Sequence, residues 1–360
     1  MKESDKPKVL LITLSKNSYG GVVSYNEGVL KNKFCDILEF RNTSGMYQNS
    51  ILKAFSLLFD IIRLSIYFLK FKIDIVHINP SLTFNSIIRD SLFINLSKLF
   101  GKKVLIQWHG WNPKNEILLK GPFFTWFKFS FFKADMTKFL YRELIYKYLS
   151  FGYSKKINLG KTFVEDYRDL NFNKQNHTSK KTQILFLATL SKNKGVYEVI
   201  EIFKTLSNEN KDLELKIAGK GTEMEKLIEI TDGFGNIELL GFVSGDEKEK
   251  LFLESDIYIF PSDHEGMPIS VLEAMYFGLP VVCTRVGALN DFFEDDKMGF
   301  SFDKSDYDIK MIEKVQLLIN NIDLRKEIGD YNKSFIKKNF LLENVLKDLA
   351  RDYKKILNGK

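Results

Sequence analysis

Two glutamates eight positions apart, Glu265 and Glu273, stand in the run "DHEGMPISVLEAMYFGLPVV" (263–282). The "DIYIF" just before it reads as a buried strand, and "PSDHEG" reads as the turn beyond that strand's carboxyl end. The segment "ISVLEAMYFG" reads as a helix, with Pro268 at its first position and Gly278 as its C-terminal cap. A helix start leaves its first amides, here those of Ile269, Ser270 and Val271, without intrahelical partners, and its dipole adds partial positive charge. Such an end binds phosphate or another anion. One carboxylate before that end and one within the helix suit a ligand with an anionic middle and hydroxylated ends. A nucleotide sugar has this form, with ribose at one carboxylate, diphosphate at the helix and hexose at the other carboxylate.

The elements that must position these groups alternate strictly. Strand-like runs in the first half are "KVLLITL", "DILEF", "DIVHI" and "KVLIQ". In the second half they are "QILFLATL", "LELKIAG", "NIELLG", "DIYIF" and "PVVCT". Amphipathic segments lie between them, so the fold class is α/β with parallel sheets and crossover helices. The pattern occurs twice, on either side of the polar stretch Arg168 to Lys181. Two Rossmann-like domains, 1–167 and 168–339, are expected to face each other across a deep cleft, with ligand at the carboxyl ends of the strands. A last helix in 340–360 is expected to pack back on the first domain. "SGDE" (244–247) reads as a capping box opening a helix. Ile51 to Phe71 is too charged mid-segment to span a bilayer and reads as an amphipathic helix packed on a sheet. Gly121 to Asp135 is too short to span, and its aromatics fit either a buried helix or a segment that dips into lipid.

The 360 residues exceed one ordinary core. Cys35 and Cys283, each in an apolar run, offer neither a disulfide framework nor metal-ligand spacing, which points to a reducing cytoplasm. The start "MKESDKPKVLLITL" lacks the apolar stretch of a signal peptide. Charge is uneven: residues 1–167 hold 25 Lys and Arg against 13 Asp and Glu, and the remainder holds 28 against 33. A first half at +12 beside a second at −5 is the composition of a protein with one domain at an anionic surface. A merely solvated basic face fits the same composition.

At "EGMPISVLEAMYFGLPVV" the chain resembles the E-x7-E signature of the family-four retaining glycosyltransferases, which have the two-domain GT-B fold. Further motifs carry the resemblance along most of the chain: "GG" at Gly20–Gly21, "WHG" at 108–110, "ATLSKNKG" at 188–195, "AGKG" at 218–221 and "LLGFV" before the capping box. The resemblance implies roles by position. Gly20 and Gly21 match the loop where backbone approaches donor and acceptor. His109 matches the histidine facing the donor sugar, and Lys194 the lysine that neutralises the diphosphate. Glu265 matches the glutamate on the sugar hydroxyls and Glu273 the glutamate on the ribose. Gly266, Met267, Pro268, Ile269, Ser270 and Val271 match the segment around the leaving phosphate. Thr189 departs from the pattern, which places arginine there; either a neighbour such as Lys192 substitutes or donor binding is weaker than usual.

The implied reaction moves a hexose, with retention, from a nucleotide-diphosphate sugar to a saccharide acceptor. It needs no metal or other cofactor and involves no nucleic acid. A basic, aromatic first domain suits a lipid-linked acceptor, hence surface-polysaccharide assembly at the inner face of the cell membrane. Of the other histidines, His77 reads as structural, and the pair Asp295–Asp296 reads as an exposed turn rather than a metal site. Two rival classes are a non-catalytic sugar-nucleotide-binding module, expected to lack His109, Lys194 or Glu265, and a nicotinamide oxidoreductase, expected to show G-x-G-x-x-G after its first strand where this chain has "SKNSYGGVVSYNEG".

Overall fold

A computed structural model describes residues 6–14, 21–43, 47, 49–167, 181–304 and 307–359. The chain forms two units, Met1–Thr162 with Leu342–Lys360, and Phe163–Leu341. The first contains β1 (Lys8–Thr13), α1 (Gly21–Leu30), β2 (Asp36–Arg41), α2 (Ser50–Lys70), β3 (Ile75–Ile78), α3 (Phe84–Leu99), β4 (Lys103–Trp108), α4 (Gly121–Phe131), β5 (Met136–Phe139), α5 (Arg142–Ser150) and β6 (Lys156–Leu159). Its sheet is parallel throughout, in the order β2-β1-β3-β4-β5-β6. The order reverses at β1 and β3, so the carboxyl ends of those strands open the crevice of this sheet.

The second unit contains β7 (Thr182–Leu187), α6 (Val196–Glu209), β8 (Leu213–Ala218), α7 (Met224–Thr231), β9 (Ile237–Gly241), α8 (Gly245–Glu254), β10 (Ile257–Phe260), α9 (Ile269–Tyr276), β11 (Val281–Thr284), α10 (Leu289–Phe292), β12 (Gly299–Phe302), α11 (Tyr307–Asn320) and α12 (Ile322–Asn339). Its parallel sheet runs β12-β11-β10-β7-β8-β9. Numbered within the unit this is 3-2-1-4-5-6 read backwards, a doubly wound order that reverses between β7 and β10. Phe163 and Val164 already pack here: Val164 is buried in this core and bridges to Leu341. The unit therefore begins five residues before the polar stretch, whose residues 168–180 lie outside the described ones. The last helix, α13 (Leu342–Leu357), belongs to the first unit. Its Tyr353 hydroxyl lies 2.7 Å from His77 Nδ1, and its Asp352 pairs with Lys138.

Three strands, β5, β6 and β12, have no counterpart among the expected runs. Each is four residues long, and "MTKF" and "KINL" carry lysines, so the apolar signal is short and interrupted.

Helix α2 turns a mixed face inward, Ser56, Asp60, Leu64 and Phe68, and an apolar stripe outward. Asp60 is fully buried, accepting from the Thr43 amide at 2.7 Å and pairing with Arg63 at 2.8 Å. Those bonds satisfy the inward polar face. Ile51, Leu52, Phe55, Leu58, Phe59, Ile62, Ile66 and Leu69 consequently point to solvent. Helix α4 behaves differently: Phe127 and Phe131 are fully buried, stacked on each other with centroids 4.5 Å apart and packed on Trp108, while Trp126 and Phe129 remain exposed.

Candidate active site

The crevice of the second sheet carries the charged residues. Lys194 lies in the loop after β7 and Glu265 in the loop after β10, the two strands between which the order reverses. Gly195 brings these loops together. Its φ is +82°, and a Cβ there would stand 2.2 Å from the Pro261 carbonyl oxygen, so only glycine permits the approach. The Asp263 amide donates to the Asn193 carbonyl at 2.9 Å, and Ser262 Oγ lies 3.2 Å from the same carbonyl. The outcome is an ion pair between Lys194 Nζ and Glu265 Oε1, with Ser262 Oγ donating to that oxygen at 3.0 Å. Behind Glu265, Gly287 comes close enough that a Cβ would meet the carbonyl oxygens of Glu265 and Gly266 at 2.2 and 2.4 Å. The Ala288 amide donates to the Gly266 carbonyl at 2.8 Å.

Helix α9 starts at Ile269. Pro268 is its N-cap with extended backbone, one position earlier than expected, and the first intrahelical bond runs from the Leu272 amide to the Pro268 carbonyl. The amides of Ile269, Ser270 and Val271 therefore lie in the helix's first turn. Gly266 and Met267 complete the turn from Glu265 and are partly buried. Glu273 lies two turns from Glu265 and is 7% exposed. Its Oε1 accepts from Lys248 Nζ at 2.6 Å and from the Tyr167 hydroxyl at 3.2 Å. Burial and then the Glu273 charge push the Tyr167 phenol far up, so it stays a donor. Thr189 and Lys192 are both exposed on the loop after β7.

In the first unit, His109 follows β4. Its Nε2 lies 3.1 Å from Asn79 Oδ1 and 3.3 Å from Gln107 Nε2, and the Tyr25 ring lies 4.2 Å away, centroid to centroid. Tyr25 donates to Gln107 Oε1 at 3.0 Å, and Asn79 Nδ2 donates to Asn26 Oδ1 at 2.7 Å, which orients both amides. Burial, then the nearby Lys138 charge, pushes the His109 pKa down to about 3, so the imidazole is neutral near pH 7. Gly21 opens α1 and is exposed, while Gly20 lies outside the described residues. A Cβ at Gly110 would meet nothing within 4 Å, so packing does not require glycine beside His109.

The remaining candidates are structural. His77 is buried in β3 against Tyr353. Asp295 is exposed but accepts from the Ser301 amide at 2.6 Å and pairs with Arg285, and Asp296 has φ +65°, so both shape a turn. The capping box does not form: Ser244 occupies the N-cap of α8 without a side-chain bond to the helix. Ser262, Lys248, Tyr167 and the Tyr25–Gln107–Asn79 group escaped the sequence reading. Only Ser262, three positions before Glu265 in the site turn, carried a local signal.

Residues 168–335 match the family described as glycosyl transferases group 1. That match lies in the second unit and covers 168 of the 360 residues. An uncharacterized glycosyltransferase of Methanocaldococcus jannaschii is 31% identical over 175 residues, 48% of each chain. The capsular polysaccharide biosynthesis glycosyltransferase CapM of Staphylococcus aureus is 26% identical over 177 residues, 48% of this chain and 46% of that one. The glycosyltransferase-family matches thus span about half the length of these curated relatives. The Anabaena HepE structure in complex with UDP and glucose superposes with a TM-score of 0.71 at 13% identity, covering 97% of this chain and 100% of that one. The fold is GT-B, with two six-stranded parallel sheets.

Proposed function

We propose that the protein is a metal-independent retaining hexosyltransferase that takes its donor as a nucleoside-diphosphate sugar and passes the hexose to a saccharide acceptor. The observation that carries the reading is the Lys194–Glu265 pair, set by Gly195 at the carboxyl ends of β7 and β10 and followed at once by the first turn of α9. That arrangement supplies a cation and helix amides to a diphosphate, with a carboxylate beside it. Glu265 keeps Oε2 for sugar hydroxyls while Lys194 and Ser262 hold Oε1. Glu273, held at Oε1 by Lys248 and Tyr167, offers its second oxygen to the ribose. On the first unit, the neutral His109 is the proposed contact of the transferred sugar.

In the proposed reaction the bond from the anomeric carbon to the β-phosphate oxygen breaks. Its electron pair stays on the diphosphate, where Lys194 and the α9 amides stabilise it as it develops. The acceptor hydroxyl oxygen bonds the anomeric carbon from the same face, and its proton passes to the leaving phosphate. A trapped glycosyl-enzyme intermediate would refute this path. The HepE complex with UDP and glucose and the capsule and amylovoran glycosyltransferases among the relatives support a UDP-sugar donor and an acceptor in capsule or exopolysaccharide assembly. A lipid-linked acceptor places the work at the inner membrane face. The deciding experiment is nucleotide release from a panel of sugar nucleotides with oligosaccharide and lipid-linked acceptors. Release that needs an acceptor supports transfer; binding without release makes the protein a sugar-nucleotide-binding module.

A further inference from the structure

Helices α2, α3 and α4 form one layer on the first sheet. Each crossover from β2 to β3, β3 to β4 and β4 to β5 advances in the same direction along the strand order, and right-handed crossovers then put all three helices on one face. Contacts join them: Phe68 packs on Phe100 with centroids 5.3 Å apart, Phe84 stacks on Phe123 at 5.1 Å, and Asn95 Nδ2 donates to Ser130 Oγ at 2.8 Å.

The outer side of this layer is apolar. Along α2, Ile51, Phe55, Leu58, Ile62, Ile66 and Leu69 recur at spacings of three and four, which puts them on one stripe facing solvent. Phe55 is 66% exposed and Leu69 78% exposed. The helix has 21 residues, so the stripe runs for about 31 Å. Soluble surfaces rarely carry a contiguous apolar strip of this kind unless something covers it. Trp126 and Phe129 on α4 and Phe84 on α3 extend it across the layer.

Charge on the layer selects the cover. The three helices contain two acidic residues, Asp60 and Asp90; both are fully buried, and each is paired with an arginine, Arg63 and Arg89. Nothing anionic is left on their outer side. Lys70 and Lys128 border it unopposed by acids of these helices, within a unit that holds 30 Lys and Arg against 14 Asp and Glu. A stripe of large apolar side chains bordered by lysines, on a helix lying flat, is the form that enters the headgroup boundary of an anionic bilayer. None of the helices is long and apolar enough to cross a membrane, among the described residues.

We infer that the protein docks on an anionic lipid bilayer through the outward stripe of α2. The inference deepens the proposed function, because a lipid-linked acceptor would then be met in the plane of the bilayer. It also moves the contact away from the centre of α4, where Phe127 and Phe131 are core residues and only Trp126 and Phe129 are free to touch lipid.

The test is flotation of the full chain with vesicles of phosphatidylcholine, alone or with phosphatidylglycerol. The variants are Phe55→Ser with Ile62→Ser, and Lys70→Glu with Lys128→Glu. All four side chains lie on the outer side, so both variants should keep the wild-type melting temperature. Wild type is expected to float with phosphatidylglycerol vesicles at low salt and to lose most of that binding in high salt. The serine pair is expected to reduce the bound fraction at least tenfold and the glutamate pair to reduce it several-fold. Unchanged flotation of the serine pair overturns the inference. So does a wild type that ignores phosphatidylglycerol at low salt, or that is dimeric in a way the serine pair abolishes, since a second copy then covers the stripe. Nucleotide release measured on a water-soluble acceptor separates the two readings. Vesicle binding without release leaves the surface and removes the enzyme, and release without vesicle binding does the reverse.

Discussion

Lys194 and Glu265 form one ion pair, yet their removal should act on nucleotide binding in opposite directions. Their side chains are 22% and 13% exposed, so the pair lies between a surface bridge and a buried one. Lys194→Met leaves Glu265 with the Ser262 hydroxyl but without its cation, and a stability loss of about 1–2 kcal/mol follows from that intermediate burial. For a unit of this size that is a melting shift of roughly 2–8 °C. The variant also removes a charge-assisted bond to diphosphate worth about 1.5–3 kcal/mol, so free nucleoside diphosphate should bind about 10- to 150-fold more weakly. Glu265→Ala frees Lys194 from its carboxylate. Diphosphate affinity should then hold or rise, while turnover falls by about two orders of magnitude or more, because a positioned contact to the reacting sugar is gone. Isothermal titration with a panel of nucleoside diphosphates, beside steady-state transfer rates, reads both quantities. A Lys194→Met protein that binds diphosphate like wild type, together with a Glu265→Ala protein that does not, would refute the assignment of cation and carboxylate.

Two other perturbations test neighbouring parts of the structure. Lys248→Met removes the charged partner of the buried Glu273 carboxylate, at 2.6 Å, so nucleoside diphosphate affinity should fall about tenfold while kcat at saturating donor changes little; equal affinity in titration would detach Lys248 from the ribose subsite. His77 is fully buried, and burial, followed by the His109 and Lys138 charges, pushes its pKa down to about 3 from 6.5. The unfolded chain therefore takes up its proton first as pH falls below 6.5, and folding stability should be lost between pH 6.5 and 3 at up to about 1.4 kcal/mol per pH unit from this residue; a His77→Gln variant with the same slope in urea titrations across pH 4–7 would exclude it as the source.

The second unit was the more legible part of the chain. Its strands β7 to β11 are apolar or alternating runs bounded by turn residues, and Gly195 and Gly278 punctuate the site at positive φ while Pro268 opens α9. The site turn kept its meaning because strand, turn and helix start are local. Lys248 and Tyr167 were invisible for the opposite reason. They reach Glu273 from 25 and 106 residues away, and nothing around "GDEKEK" or "EDY" distinguishes them from solvated surface. Likewise Tyr25, Asn79 and Gln107 meet His109 only because β1, β3 and β4 lie side by side in the first sheet.

Helix α2 shows where pattern reading breaks down on physical grounds. A hydrophobic stripe opposite a polar one says that the helix has two faces, and the prior that the apolar face is buried comes from the hydrophobic effect. Here the inward face is organised around one aspartate. Asp60 accepts from the Thr43 amide and hydroxyl and pairs with Arg63, whose guanidinium also lies over the Phe40 ring at 4.8 Å. A buried carboxylate is tolerable when its lone pairs are taken by an amide, a hydroxyl and an arginine, so the polar face can turn inward without stranding a charge. Only the tertiary partners of Asp60, which lie 17 residues back in the chain, decide which face is which. Once they do, the apolar face is left exposed among the described residues, although the local pattern is that of an ordinary surface helix.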